Sequence, residues 1–277
     1  MSDNQTADTH HWPFYTDPQW LDVGDVRTAY RRAGEGEQLL YLHGAGLTRR
    51  WLPLYDQLAS SVDVVVPEHP GFGDSEMPEW LESFEDLVLH YAELCDILGL
   101  KRFHLCGHSL GAWIAAEFAV YYPERLKSLT LITPPGLPGV HKVDTFRQEP
   151  EEALARLLNG QAELYPEYLD AGDPVEATVQ SCKEKITQAR LMWNPRHDLR
   201  LERRLRRVIC PTQVVLPDED RIFHHEVMSR YAELIPHASI TTVTGERAPT
   251  GHLLIIQEPE RLADAITTFV ADAVRGG

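Results

Sequence analysis

Gly107-His108-Ser109-Leu110-Gly111 sets a serine between two glycines, each two positions away, at the junction of an apolar run and a helical one. A serine at the apex of so tight a strand-to-helix turn has strained backbone angles. Side chains two residues before and after it would collide with neighbouring backbone unless they were hydrogen, so the spacing has a steric cause. By composition alone, with glycine at about 7%, the pattern arises in roughly a tenth of chains this long. Its setting carries the weight. Arg102 to Cys106 reads as a strand, and Ala112 to Tyr121 reads as a largely buried helix that stops before Pro123. Strand, turn and helix follow in the order that a nucleophile elbow requires.

Around the elbow lie 277 residues, 43% hydrophobic and 25% charged. That is enough for a packed interior and carries no mark of disorder. A formal net charge of -16 repels phosphate backbones and anionic lipid, so neither nucleic acid nor a membrane surface is expected as a partner. Met1 to His11 lacks the basic cluster and apolar stretch of a signal peptide. The longest apolar stretches, such as Trp113 to Ala116 and Leu253 to Ile256, fall far short of the ~18 residues of a membrane span. Cys95, Cys106, Cys182 and Cys210 are scattered, mostly in apolar segments and without C-x-x-C spacing, which suits free thiols in a reducing cytoplasm.

Residues 1–18 form a polar, proline-punctuated lead. Strand-like runs then fall at Trp20 to Val23, Val26 to Arg32, Gln38 to Leu42, Val62 to Val66, Phe103 to Cys106, Ser128 to Ile132, Gln213 to Leu216 and Ser239 to Val243. Helical patterns separate the later ones, at Arg50 to Ala59, Ser83 to Leu98, Ser109 to Tyr121, His225 to Leu234 and Pro259 to Val274. Such alternation predicts a mostly parallel sheet of eight strands with helices on both faces, and the two front strands suit an antiparallel edge hairpin. From about Gly139 to Arg207 no buried strand is read. Helical pieces at Glu151 to Leu158, Pro174 to Leu191 and Leu199 to Arg207 make this a helical insertion after the sixth strand. The expected division is a core of residues 19–138 and 208–277, with a helical cap over 139–207.

Acyl transfer at a serine needs a base, an orienting acid and donors for the oxyanion. On a strand-turn-helix elbow the order is serine, acid, histidine, so both partners lie downstream of Ser109. Pro211 to Ile222 is a strand running into the acidic loop Asp218-Glu219-Asp220, at the strand end where parallel sheets bind ligands. After the last strand comes Pro249-Thr-Gly251-His252. The other histidines read otherwise: His10 and His11 lie in the lead, and the adjacent His224 and His225 point about 100° apart on a helix, so no metal site is expected. Gly71-Phe-Gly73 lacks the third glycine and following helix of a dinucleotide fingerprint, so no cofactor is implied.

Leu42-His-Gly-Ala-Gly46, Pro67-Glu-His-Pro-Gly-Phe-Gly-Asp-Ser75, the elbow, Pro211 to Ile222, and Gly251-His252 followed by Gln257-Glu-Pro-Glu260 together resemble the α/β-hydrolase family, in family order from about Trp20 to Val274. The resemblance implies an α/β-hydrolase fold with Ser109 as nucleophile, His252 as base then acid, and Asp220 as the orienting acid, with Asp218 and Glu219 as competitors for that last role. It further implies backbone N–H groups of Ala45 and Leu110 as the oxyanion hole. His43 and Gly44 shape that loop and, with Trp193, are candidate substrate contacts. The implied activity is hydrolysis of a small carboxylic ester through an acyl-enzyme. Two alternatives follow from relatives of the family: cleavage of carbon-carbon bonds in diketone-like ring-fission products, or slow-turnover ligand binding. The HGxGPG loop and Asn-Ser elbow typical of the carbon-carbon enzymes read here as His43-Gly-Ala-Gly-Leu47 and His108-Ser109.

Overall fold

The computed structural model describes residues 13–139, 143–169, 172–193 and 195–276. Residues 1–12, with the signal-peptide reading and His10 and His11, lie outside them. The chain opens with strands β1 (Gln19–Val23), β2 (Val26–Ala33) and β3 (Gln38–Leu42), then helix α1 (Pro53–Ala59), β4 (Asp63–Pro67), α2 (Phe84–Ile97), β5 (Phe103–His108), α3 (Leu110–Tyr121) and β6 (Leu126–Ile132). Between β6 and the next strand come α4 (Pro150–Leu157), α5 (Pro166–Leu169), α6 (Pro174–Met192) and α7 (Leu201–Arg204). The chain closes with β7 (Thr212–Pro217), α8 (His225–Leu234), β8 (Ala238–Val243), α9 (Leu254–Gln257) and α10 (Pro259–Gly276).

The eight strands form one sheet in the order β1-β2-β4-β3-β5-β6-β7-β8. β1 and β2 make the antiparallel hairpin, β2 meets β4 antiparallel, and every pair from β4 to β8 is parallel. This is the α/β-hydrolase fold expected from the sequence. The central strands are apolar because both faces are covered: β4, β5 and β7 are buried at every residue. One core layer lies between the sheet and α2, α3 and α8, the other between the sheet and α1, α9 and α10.

Local chemistry sets the helix ends. Ser83 and Asp86 form a capping box that starts α2. α1 begins at Pro53, later than the expected Arg50, because Leu52 is extended before a proline. The expected piece Leu199 to Arg207 is broken, with α7 followed by a 3-10 turn over Leu205–Arg207. α3 runs behind the elbow buried along all but its last residue, with Trp113 stacked on Phe84 at 4.0 Å. Each such aromatic contributes about 1.5–3 kcal/mol of burial, which anchors the elbow from below.

Candidate active site

Ser109 caps α3 with φ 51° and ψ −117°, the strained geometry the sequence predicts. Its N–H donates to the Ile132 carbonyl at 2.9 Å, and its own carbonyl accepts from Ala112 N–H at 2.9 Å. The flanking glycines are enforced by close approach. A Cβ on Gly107 would stand 2.3 Å from the Gly111 carbonyl oxygen, and one on Gly111 would stand 2.1 Å from that of Leu42.

The Ser109 hydroxyl lies 2.8 Å from His252 Nε2, and His252 Nδ1 lies 2.7 Å from Asp220 Oδ2. With Nδ1–H donating to the carboxylate, Nε2 accepts from the serine. Asp220 is fully buried, and its other oxygen accepts from the N–H groups of Ile222 (2.7 Å) and Phe223 (2.8 Å). Burial alone would raise its pKa, but the histidine and these two amides outweigh it and hold the carboxyl below its ordinary value. Asp220 is therefore the neighbour of His252 among the three acidic candidates. Asp218 instead accepts from Gly245 N–H and Thr250 N–H, both at 2.9 Å, and clasps the loop that delivers His252. Glu219 is exposed beside Arg221.

Three other imidazoles frame the site. His108 Nε2 donates to the His252 carbonyl at 3.0 Å, tying the elbow to the histidine loop. His43 and His69 stack at 3.8 Å, with His69 Nε2 donating to the His43 carbonyl at 2.7 Å and Tyr91 hydrogen-bonded behind. Burial lowers all three, His43 to about 4, His108 to about 3 and His69 well below its ordinary value. They stay neutral at physiological pH and act as struts.

Ser109 and His252 open onto a cavity of about 490 Å³ at the carboxyl end of the sheet. Its core-side wall includes Ala45, Leu47, Leu110, Ile222 and Phe223; the segment between β6 and β7 supplies Leu154, Leu157, Tyr168, Gln188 and Met192. Ala45 and Leu110 thus flank the serine. The structure places the other expected loop and insertion contacts away from this wall. His43 and Gly44 do not reach the wall: the His43 ring is buried against His69 and Phe72, and Gly44 packs on His108. Trp193 turns outward, 54% exposed, against Phe146 and Arg196.

The segment over the cavity is fastened by polar contacts. Glu184 of α6 is buried and accepts from Thr48 Oγ1 (2.6 Å) and Gly73 N–H (3.1 Å), while Lys183 Nζ donates to the carbonyls of Gly73 (3.0 Å) and Ser75 (2.7 Å). Gly71 is glycine because a Cβ there would meet Thr187 of α6 at 2.3 Å. Asn159 donates to the Thr250 and Glu219 carbonyls, both at 2.9 Å, so the far end of α4 holds the loops carrying Asp220 and His252. Sequence reasoning gave no role to Asn159 or Glu184 and did not foresee His108 and Asp218 as ties to the histidine loop, because the partners of all four lie far along the chain. Among the described residues no group of three or more His, Cys, Asp or Glu side chains is placed to hold a metal.

Sheet, elbow and insertion define a class. The model of the alpha/beta hydrolase family matches residues 39–265, and the chain belongs to that family. It is 32% identical over 189 residues to the 2-hydroxy-6-oxo-6-phenylhexa-2,4-dienoate hydrolase of Comamonas testosteroni, a match covering 64% of each chain, so it spans less than two thirds of that relative's length. Among solved structures it is similar to a bacterial membrane phospholipase A (TM-score 0.77, 24% identity, 93% of this chain and 86% of that one). It is also similar to a thermophilic esterase from Thermogutta terrifontis (TM-score 0.75, 24% identity, 93% and 99%). Both structural likenesses concern the fold. No helix among the described residues is long and apolar enough to cross a membrane.

Proposed function

We propose that this protein is a serine hydrolase of small carboxylic esters. The observation that carries the reading is the unbroken hydrogen-bond chain from Ser109 through His252 to the buried Asp220, at the mouth of an apolar cavity. In this mechanism His252 Nε2 takes the hydroxyl proton as Ser109 Oγ bonds to the ester carbonyl carbon. The carbonyl oxygen gains the negative charge, and the N–H groups of Ala45 and Leu110 stabilise it. Collapse expels the alcohol, which receives the proton from the imidazolium. Water, deprotonated by His252, then attacks the acyl carbon, and the acid leaves as Ser109 regains its proton. Asp220 keeps the proton on Nδ1 and stabilises the imidazolium. No metal or cofactor enters this route.

We take residues 139–207 to be the cap of a core formed by 19–138 and 208–277. The cap's Leu154, Leu157 and Met192 give the acyl group an apolar seat. The four free cysteines support a reducing, cytoplasmic setting. Nucleic acid and membrane partners are not part of the reading.

Carbon-carbon hydrolysis is the second reading, favoured by the likeness to the Comamonas testosteroni enzyme. The elbow histidine His108 and the loop Gly44-Ala-Gly-Leu47 favour the ester. A panel of p-nitrophenyl esters of graded acyl length, run beside a diketone-like ring-fission substrate, tests the choice. Ester kcat/KM should exceed the diketone value by at least about tenfold, a transition-state difference of about 1.4 kcal/mol. The reverse ranking would replace the ester reading by the carbon-carbon one, and turnover of neither would leave a ligand-binding member of the fold.

A further inference from the structure

The two backbone N–H groups assigned above to the oxyanion are held differently. That of Leu110 opens α3 and is fixed by the elbow. Ala45 lies in the loop that joins β3 to α1, which passes so close to the nucleophile that a Cβ on Gly44 would stand 3.4 Å from that of Ser109. Residues with a side chain rarely adopt a positive φ, yet Leu47 (58°) and Arg49 (63°) both do, on either side of Thr48. Such a conformation persists only where its surroundings impose it.

Much of what imposes it comes from the segment between β6 and β7. Thr48 Oγ1 donates to Glu184 of α6 at 2.6 Å, and the Arg50 guanidinium donates to the Tyr168 carbonyl of α5 at 2.7 Å. Arg49, between them, joins core to roof: its backbone N–H donates to Glu68 at 2.7 Å, its Nε to Asp74 at 2.6 Å, and its Nη1 to Glu176 of α6 at 2.6 Å. Gln188 of α6 adds a longer bond, 3.4 Å, to the Ala45 carbonyl itself. A planar guanidinium that spans two carboxylates fixes direction as well as distance. Partly exposed ion pairs add little stability, so what this one secures is the shape of the loop.

We propose that Arg49 is a positioning residue for the oxyanion hole: by clamping the loop between Asp74 and Glu176 it sets where the Ala45 N–H lies, so the hole is complete only with α6 seated on the core. This rests on the acyl-enzyme reading above, in which the ester carbonyl oxygen takes its negative charge at that N–H. A trifluoromethyl ketone isolates the step. Ser109 Oγ bonds to its carbonyl carbon, the serine proton passes to His252, the carbonyl π pair moves onto oxygen, and no group is expelled. Arg49→Met should lower kcat on a p-nitrophenyl ester at least about tenfold with KM held within about twofold, and should raise the ketone inhibition constant by the same factor as kcat falls. Glu176→Ala, at a partly exposed position, keeps the bond to Asp74 and should do the same at least about threefold, which decides the matter if Arg49→Met fails to fold. The matching secondary alcohol, which forms no oxyanion, should bind both variants as it binds wild type. Wild-type kcat and ketone inhibition in Glu176→Ala, or a change confined to KM and alcohol binding, overturns the proposal alone. A wild type without ester turnover overturns both it and the ester reading.

Discussion

The floor and the roof of the cavity are held by different physics. In the floor, backbone meets backbone: Gly107 presses on Gly111, Gly111 presses on Leu42, and Ser109 is forced to a positive φ. In the roof, α6 hangs from the core by side-chain bonds, Glu184 accepting from Thr48 Oγ1 and the Gly73 N–H and Lys183 donating to the Gly73 carbonyl. A backbone approach that would leave an added Cβ only 2.1–2.3 Å from a carbonyl oxygen tolerates no added atom, whereas a polar seam can lose one bond and persist. The floor is thus the rigid part that fixes the reacting atoms, and the roof is the part that can be retuned for substrate.

Five substitutions sharpen this contrast, from the largest effect on catalysis to the smallest. Asp220→Asn should lower kcat by about 10⁴, the loss seen when a serine protease triad loses its carboxylate, while Asp218→Asn should cost far less because it touches only the loop. Stopped-flow or steady-state kinetics on the same ester ranks them, and the opposite order would hand the orienting role to Asp218. Gly111→Ala should destabilise the fold by about 3–5 kcal/mol, since its Cβ would meet the Leu42 backbone rather than a flexible side chain. A urea midpoint close to wild type would show that the floor can yield.

In the roof, Glu184→Gln removes the buried carboxylate that Thr48 and Gly73 address and should cost about 1–3 kcal/mol. Acyl-length preference should shift through kcat/KM while Ser109 still reacts with a small phosphonate. An unchanged preference would detach the roof from specificity. The last substitution acts on stability alone, at Glu117 on α3, whose pKa is pushed up to about 7 by burial and by Asp198. The folded state holds this proton to about pH 7, and the unfolded chain releases it near 4.5, so wild-type stability falls as pH rises between them. Glu117→Gln lacks that loss. Its stability relative to wild type should grow across the window by about 3 kcal/mol and then level off, as read by thermal melts at pH 4.5 and 8. A difference independent of pH would contradict the assignment.

The same contrast explains what could be read from the chain. The floor was legible because steric demand leaves glycine as the only choice at 107 and 111, and apolar runs mark β4, β5 and β7 as doubly covered strands. β5 runs on to His108, past the expected end at Cys106, since the strand feeds directly into the elbow. The helix after His252, α9, is four residues long and left no periodic trace. The roof was legible only as helices. Glu184, Lys183 and Thr187 look like ordinary surface residues until the loop more than a hundred positions earlier is folded against them. Trp193 looked like pocket material by type, but it caps the end of α6 on the outer side. Of the acidic trio, the resemblance pointed to Asp220 with Asp218 and Glu219 as competitors, and the fold sends Asp220 to the imidazole and Asp218 to Thr250.

The central claim is that Ser109 becomes acylated in the course of turnover. A small activity-based fluorophosphonate followed by peptide mass spectrometry addresses it directly. The account predicts one label per chain, on Ser109, with ester hydrolysis lost in proportion; Ser109→Ala should take no label and hydrolyse no ester while keeping the wild-type circular dichroism spectrum. Label on another residue, or ester turnover retained by Ser109→Ala, would contradict it.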